Sequence, residues 1–174
     1  YLPWLRSLFH RDFAAVLVKG RRNYVSLRRL NLALSRAGSL FNHDEQFTQL
    51  GELGKWSKDT GDGSLSDLNY QPRGDVWDEV ASDSSNCRGR QCDSYKTCFY
   101  YRARRRVNNA QVLVVNHALL FSDLALRRQG VNILPDYQVL ILDEAHTVEA
   151  VAGNHLGIRI TSGQIDYALN RLYN

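Results

Sequence analysis

The sequence predicts an α/β fold in which a partial parallel sheet carries a mainly helical insertion. Short apolar runs typical of buried strands lie at residues 13–18, 112–115 and 138–142, and helical patterns separate them. The longest stretch without such a run, residues 21–107, is predicted to be the insertion. Apolar residues make up 44% of the 174 residues and charged residues 23%, which excludes wholesale disorder and fibrous structure. No apolar run approaches the ~20 residues of a membrane span, so a soluble protein without membrane partners is expected.

Capping residues and apolar periodicity predict the helices. Asn23 is the predicted cap of a helix that runs to about Ala37, where Gly38 is a stop signal. Residues 44–58 place apolar side chains three positions apart, which predicts an amphipathic helix. Further helices are predicted at 98–107, 117–128, 145–152 and, after a Thr161-Ser162 cap, 163–173.

The beginning of the chain carries no recognisable targeting signal. It opens Tyr1-Leu2-Pro3-Trp4, with neither a charged n-region nor an apolar h-region, and the sequence contains no methionine. These features predict a piece of a larger protein.

The net charge of +4 conceals a segregation of charge along the chain. Residues 6–36 carry eight basic side chains against Asp12, and residues 88–106 carry seven against Asp93. Residues 37–86, between them, carry ten acids and three bases. Two basic blocks around an acidic connector indicate one basic surface that binds a phosphate backbone, although a merely solvated helix face would show the same charge pattern.

The three cysteines, Cys87, Cys92 and Cys98, lie within twelve positions of one another. An odd, clustered set indicates thiolate ligands of a metal or a cluster rather than disulfides. The spacing differs from the Cys-x2-Cys pattern of zinc sites, and a tetrahedral or cubane site needs a fourth ligand. Three unrelated buried thiols are the structural alternative.

Two carboxylates follow the third apolar run, at Asp143 and Glu144. The carboxyl ends of parallel strands face the crevice where α/β proteins bind nucleotides. Asp143 is therefore the candidate ligand of the magnesium ion of ATP, and Glu144 the candidate to orient or deprotonate the attacking water. His146 is spaced to face the same site and couple it to a neighbouring motif.

Four stretches together resemble the XPD/DinG group of superfamily 2 DNA helicases, which carry an iron–sulfur domain inserted in the first RecA-like motor domain. The stretches are KGRRNYVSLRRL from Lys19, CRGRQCDSYKTCFYYRARR from Cys87, VLVVNHALLFSDL from Val112 and LILDEAH from Leu140. The resemblance implies motor domain 1 at residues 1–20 and 108–152, the iron–sulfur domain at 21–107, and the start of the arch domain at 153–174.

The resemblance also implies a 4Fe-4S cluster on Cys87, Cys92 and Cys98. The position of the family's other cysteine is occupied by Ser26, whose hydroxyl is a poor ligand for iron. A full-length relative would hold the cluster, and this chain is expected to hold an incomplete cluster or none.

The implied activity is ATP-driven 5′-to-3′ translocation on single-stranded DNA and unwinding at DNA junctions, in the cytoplasm or on the nucleoid if the protein is bacterial. Candidate phosphate contacts are Arg102, Arg104, Arg105 and Arg106. Tyr100 and Tyr101 are candidates to stack on bases, whereas Phe99 is expected to pack in the core. The oligomeric state is not predicted.

No GxxxxGK[ST] phosphate loop occurs in the 174 residues, so the chain by itself is expected not to hydrolyse ATP. Two other functions stay open. One is a zinc-binding, non-enzymatic nucleic-acid module in which His43 or His117 joins the cysteines. The other is a catalytically inactive scaffold for protein partners.

Overall fold

The computed structural model describes residues 2–9, 12–157 and 162–172. They divide into two compact units, one up to residue 114 and one from residue 115. The strands are β1 (Ala15–Leu17) and β2 (Val112–Val114), and the helices are α1 (Leu2–Phe9), α2 (Leu27–Ser35), α3 (Ala37–Leu40), α4 (Asp44–Asp59), α5 (Gly74–Val80), α6 (Phe99–Asn108), α7 (His117–Arg127), α8 (Val148–Leu156) and α9 (Ser162–Leu172). Among the described residues, no helix is long and apolar enough to cross a bilayer.

The predicted parallel sheet is confirmed as a two-stranded pair. β1 and β2 run parallel, with Ala15 opposite Val112 and Leu17 opposite Val114. The connection between them holds α2 to α6, so a mainly helical insertion separates two adjacent parallel strands. Mixed helices with a small parallel sheet agree with the predicted α/β class.

The predicted third strand, at residues 138–142, is wrong for the part of the chain that the structure describes. Val139 and Ile141 are 75% and 87% exposed, and the described residues offer this segment no hydrogen-bonded neighbour in a sheet. A strand exists only as part of a ladder, and an apolar sequence without a ladder partner stays exposed.

The core of the first unit lies inside the helical insertion. Val25, Leu53, Val76 and Val80 are completely inaccessible to solvent, and Phe99 of α6 packs on the same cluster, as predicted. The indole of Trp77 donates a hydrogen bond to the carbonyl of Arg22, at 3.0 Å. Helix α5, which carries part of this core, has too short an apolar pattern to have been predicted from the sequence.

Two helix starts differ from those predicted. Ser26, not Asn23, is the N-cap of α2, and Asn23 ends a short 3-10 turn that begins at Arg21. The helix predicted at 145–152 is a 3-10 turn at Ala145–Thr147 followed by α8. In both places a single turn of tighter helix precedes the α-helix, which apolar periodicity does not distinguish. Helix α9 begins at Ser162, while Thr161 lies outside the described residues.

Gly63 generates the first prediction, because its φ is +65° and a Cβ there would lie 2.1 Å from the ring of Phe99. Gly63→Ala should lower the free energy of unfolding by about 2–4 kcal/mol, since it combines a left-handed backbone with a displaced core ring. Chemical denaturation measures the change. Gly51→Ala in α4 is the matched control, because a Cβ added there would meet no atom within 4 Å apart from its chain neighbours and the backbone of its own helix, and it should stabilise by up to about 1 kcal/mol. Equal effects of the two substitutions would contradict the packing of Phe99 on Gly63.

Candidate functional site

All three cysteines and Ser26 line one pocket of the first unit. Ser26 stands at the start of α2 and Cys98 at the start of α6. Cys87 lies in the loop after α5, and Cys92 follows a 3-10 turn at Gly89–Gln91. Side chains 72 residues apart in sequence, from 26 to 98, therefore face the same cavity, and we call it the thiol pocket.

The sulfur of Cys87 contacts two hydrogen-bond donors. Its sulfur accepts a hydrogen bond from the amide of Gly89 at 3.4 Å and lies 3.6 Å from the hydroxyl of Tyr101. Burial raises the pKa of this thiol, but the hydrogen bonds from Gly89, Tyr101 and Arg21 outweigh burial, and the pKa is lowered. A lower pKa favours the thiolate, which is the form that binds metals.

Ser26 is part of the pocket wall and also caps a helix. Its hydroxyl oxygen accepts a hydrogen bond from the amide of Arg29 at 3.4 Å, and its own amide donates to the carbonyl of Val80 at 2.8 Å. Serine is among the preferred N-cap residues. The hydroxyl therefore has a structural role that is independent of any metal.

The donor set of the thiol pocket fits an iron–sulfur cluster in part. Three thiols are the ligands that such clusters prefer, while the serine hydroxyl is a hard donor that fits poorly. Within the described ranges, no three or more His, Cys, Asp or Glu side chains are grouped closely enough to hold one metal ion. His43, which precedes α4, is not among the residues that line the pocket, and His117 hydrogen-bonds Thr147 in the second unit at 3.0 Å.

The tyrosines that were candidates for base stacking pack around Arg21. The guanidinium of Arg21 lies 4.0 Å from the ring centre of Tyr100 and 5.8 Å from that of Tyr101. Tyr101 also contacts Tyr95, with ring centres 4.6 Å apart, and its hydroxyl points to the thiol pocket. Both rings are half-buried, so a base would have to compete with these contacts.

Three of the four candidate arginines lie on one exposed face of α6. Arg102, Arg105 and Arg106 line a groove together with Asn109 and, from the β1 side, Ala14 and Val16. Residues at i, i+3 and i+4 share one face of a helix, which explains why Arg102, Arg105 and Arg106 point in a common direction. We call this the arginine groove.

Arg104 points away from the arginine groove. It is half-buried, and one of its guanidinium nitrogens is buried without a hydrogen-bond partner. The remaining three arginines are held by their neighbours. Arg102 donates to the carbonyl of Gly61 at 3.3 Å, Arg105 to that of Lys96 at 3.5 Å, and Arg106 to the carboxylate of Asp62 at 3.2 Å.

Asp143, Glu144 and His146 lie together in a turn of the second unit. The amide of Glu144 donates to the Asp143 carboxylate at 2.9 Å, and Oε2 of Glu144 lies 3.4 Å from Nδ1 of His146. Glu144 has φ +49°, the only positive φ of a non-glycine residue among the described ones. The amide and the hydroxyl of Thr147 both donate to its carbonyl, at 2.9 and 3.0 Å, and stabilise this conformation.

A buried carboxylate of the second unit, Asp123, did not emerge from the sequence. It is fully buried and accepts hydrogen bonds from the amides of Ile133 and Leu134, at 2.5 and 2.8 Å. Nε of Arg127 donates to its second oxygen at 2.7 Å. Burial raises the pKa of Asp123, but the hydrogen bonds from Arg127 and the two amides outweigh it, so the pKa is lowered.

Arg127 extends this contact to the loop that leads to residues 138–142. Its guanidinium donates to the carbonyls of Leu134 and Pro135, at 2.7 and 2.9 Å, and to Asp136 at 2.8 Å. Asp123 and Arg127 thus fix the loop after α7. Their i, i+4 spacing on a helix was the one sequence signal that could have revealed the pair.

The chain is similar in sequence to one family profile and to several proteins named as helicases. The DEAD_2 family profile matches residues 83–165. The ATP-dependent DNA helicase YoaA of Escherichia coli is 34% identical over 166 residues, which cover 94% of this chain and 26% of that protein. YoaA of Haemophilus influenzae is 29% identical over 172 residues, covering 91% of this chain and 27% of that protein. The protein named 3'-5' exonuclease DinG of Bacillus subtilis is 29% identical over 172 residues, covering 98% of this chain and 18% of that protein.

These matches confirm the resemblance that the motifs indicate: the chain is similar in sequence to proteins named as YoaA and DinG, of which the two YoaA proteins are ATP-dependent DNA helicases. It spans about a quarter of the length of the two YoaA relatives.

Asp123 generates the second prediction. Asp123→Ala should lower the local stability of the loop by about 2–3 kcal/mol, because two amides and Arg127 lose a buried acceptor. Hydrogen exchange of the Ile133 and Leu134 amides measures the loss. The stabilisation that ionised Asp123 gives the folded loop is fully present above the pKa of its carboxyl group in the unfolded chain, near 3.8. It should disappear as the pH falls through the lower pKa that this carboxyl group has in the folded protein.

The matched control is Asp136→Ala, which removes an 89%-exposed partner of the same arginine. It should leave both amides protected. Equal deprotection by the two substitutions would show that Asp123 does not fix the loop.

Proposed function

We propose that this chain is the part of an ATP-dependent 5′-to-3′ DNA helicase that contacts single-stranded DNA and supplies the carboxylates of the ATPase site. The observation that carries the proposal is the arginine groove, where one exposed helix face presents three guanidinium groups side by side. Guanidinium groups pair with phosphate oxygens through charge-assisted hydrogen bonds, which do not depend on base sequence. The two YoaA relatives are named ATP-dependent DNA helicases, which supports the same proposal.

In this proposal the DNA backbone lies along α6, and the apolar side chains Ala14 and Val16 form the opposite wall. Arg102, Arg105 and Arg106 each neutralise one phosphate. Arg104 acts in positioning rather than in direct contact, because it lies outside the groove. The guanidinium of Arg21 lies over the rings of Tyr100 and Tyr101, and a base can stack on these rings after Arg21 moves.

The carboxylate pair of the second unit is proposed to serve ATP hydrolysis once a phosphate loop is supplied by the rest of a helicase. Carboxylate oxygens are the ligands that magnesium prefers, which makes Asp143 suitable to hold it. Bound magnesium would neutralise charge on the transferred phosphate. Glu144 would orient the attacking water, and His146, 3.4 Å from the carboxylate of Glu144, would hold that carboxylate in place. Without a phosphate loop, the chain alone is proposed to be inactive toward ATP.

The thiol pocket is proposed as the iron–sulfur site of this helicase segment. Cys87, Cys92 and Cys98 would hold the cluster, and the amide of Gly89 and the hydroxyl of Tyr101 would stabilise the charge on the Cys87 sulfur. The cluster would act as a rigid support for the start of α6 near a DNA junction. The cytoplasm or the nucleoid is the proposed location, because the DNA substrate lies there in bacteria.

The third prediction tests DNA binding. Wild-type chain should bind single-stranded DNA with strong salt dependence, because each neutralised phosphate contributes about −0.7 to the slope of log affinity against log salt. Replacing Arg102, Arg105 and Arg106 by alanine should flatten the slope by about 2. Fluorescence anisotropy of a labelled oligothymidine between about 50 and 200 mM salt measures both values.

The control for this measurement replaces Arg36, Arg90 and Arg128 by alanine, three exposed arginines outside the groove. The net charge changes by the same amount, so a purely global effect of charge would flatten both slopes equally. Absence of salt-dependent binding by the wild type would refute the proposed DNA contact.

The fourth prediction concerns Ser26. After reconstitution with iron and sulfide, Ser26→Cys should contain about four irons per chain and become brown, because the fourth thiolate completes the ligand set of a 4Fe-4S cluster. Elemental analysis of iron and zinc in the same samples distinguishes an iron–sulfur site from a zinc-binding module. Ser26→Ala is the control, since it removes the hydroxyl without adding a thiol and should take up no more iron than wild type. If Ser26→Cys also takes up no more, position 26 does not supply the missing ligand.

A further inference from the structure

An ion network joins the end of β1 to the arginine groove. Lys19 follows β1, and its ammonium group donates to Oδ2 of Asp62 at 2.9 Å and to the hydroxyls of Ser64 and Ser66 at 2.7 Å each. An ammonium group has three donors, so this network uses all of them. The Lys19 side chain is only 20% exposed. Lys19 is therefore fixed and saturated.

Asp62 is the shared anion of two cations. Its Oδ2 accepts from Lys19 and from the hydroxyl of Ser64, and its Oδ1 accepts from Nη2 of Arg106 at 3.2 Å. Burial raises the pKa of Asp62, but the hydrogen bonds from Lys19, Ser64 and Arg106 outweigh it, and the pKa is lowered. Asp62 is thus ionised at neutral pH.

Of its two cations, Asp62 holds Arg106 less firmly. The Arg106 side chain is 56% exposed, against 20% for Lys19, and its contact with the carboxylate is longer, 3.2 against 2.9 Å. Arg106 also lines two adjoining cavities, the arginine groove and a second one that contains Lys19 and Asp62. Solvent-exposed ion pairs contribute little stability, so Arg106 can leave Asp62 at small cost.

We propose that Asp62 competes with DNA phosphate for Arg106 and so limits the affinity of the arginine groove for single-stranded DNA. This inference rests on the proposed DNA contact. When DNA enters the groove, Arg106 exchanges the carboxylate for a phosphate, and Asp62 stays paired with Lys19. The exchange replaces one anion by another, so Arg106 adds less to the net affinity than Arg102 or Arg105. A weakly held strand suits a protein that must release and rebind DNA as it translocates.

The test is Asp62→Asn, which keeps the shape of the side chain and an acceptor oxygen for Lys19. Asp62→Asn should bind labelled oligothymidine about three- to fivefold more tightly than wild type at about 50 mM salt, with an unchanged slope of log affinity against log salt, because Arg106 neutralises the same phosphate in both proteins. Asp59→Asn, at the end of α4, is the charge-matched control and should change affinity by less than about twofold with an unchanged slope.

A double-mutant cycle assigns the effect to Arg106. In the Arg106→Ala background, Asp62→Asn should no longer increase affinity, because the competing pair is already absent. If Asp62→Asn and Asp59→Asn bind alike, or if Asp62→Asn folds normally and binds more weakly than wild type, Asp62 does not compete with DNA and the inference is overturned.

A measurement on the wild type keeps the test independent of whether Asp62→Asn folds. On addition of oligothymidine, the side-chain Nε–H resonance of Arg106 should shift, while the ammonium resonance of Lys19 should not. An unchanged Arg106 resonance on a chain that binds DNA overturns the inference and leaves the proposed DNA contact standing. Absence of DNA binding by wild type and by Asp62→Asn refutes both.

Discussion

The parallel pairing of β1 with β2 is the constraint on which the first unit depends. The amide of Val18 donates to the carbonyl of Val114 at 2.8 Å, and the amides of Gln111 and Val112 both donate to the carbonyl of Ala14. The chain therefore leaves the sheet after β1 and must return to the same place. Only residues 109–111 separate α6 from β2, so the pairing holds the end of α6 against β1. The arginine groove forms because the β1–β2 pairing brings Ala14 and Val16 next to α6.

The helical core supplies the second constraint, since it fixes where α2 and α6 begin. Val25 forms a bridge with Ala81, and Tyr24 forms one with Ser64, immediately before the N-cap of α2. Phe99, the first residue of α6, is buried in the same core. Ser26 and Cys98 are therefore held by packing, whereas Cys87 and Cys92 stand on a loop and a turn between them. Local hydrogen bonds, such as that from Gly89 to Cys87, hold the latter two.

Local patterns in the sequence predict the helices well here, but they do not predict interactions between residues that are distant in the sequence. The apolar spacing from residue 44 predicted α4 almost to its last residue, but the third predicted strand has an apolar signal and no ladder partner, and a ladder is a tertiary property. Nothing in the sequence distinguishes Asp62 from the other nine acids between residues 37 and 86, because its role depends on where β1 ends and where α6 passes. The four candidate arginines also looked equivalent. Helix geometry separates them, since Arg104 is rotated away from the face that the other three share.

Helix α6 connects the two candidate sites of the first unit. Cys98 at its N-cap and Tyr101 in its first turn line the thiol pocket, while Arg105 and Arg106 in its last turn line the arginine groove. Its third face, at Phe99, Ala103 and Val107, is buried. The start and the later turns of α6 belong to one helix of ten residues, so the core contacts that fix its start also help to place its arginines. The cluster proposed for the thiol pocket would lie at the start of the same helix whose last turn carries Arg105 and Arg106.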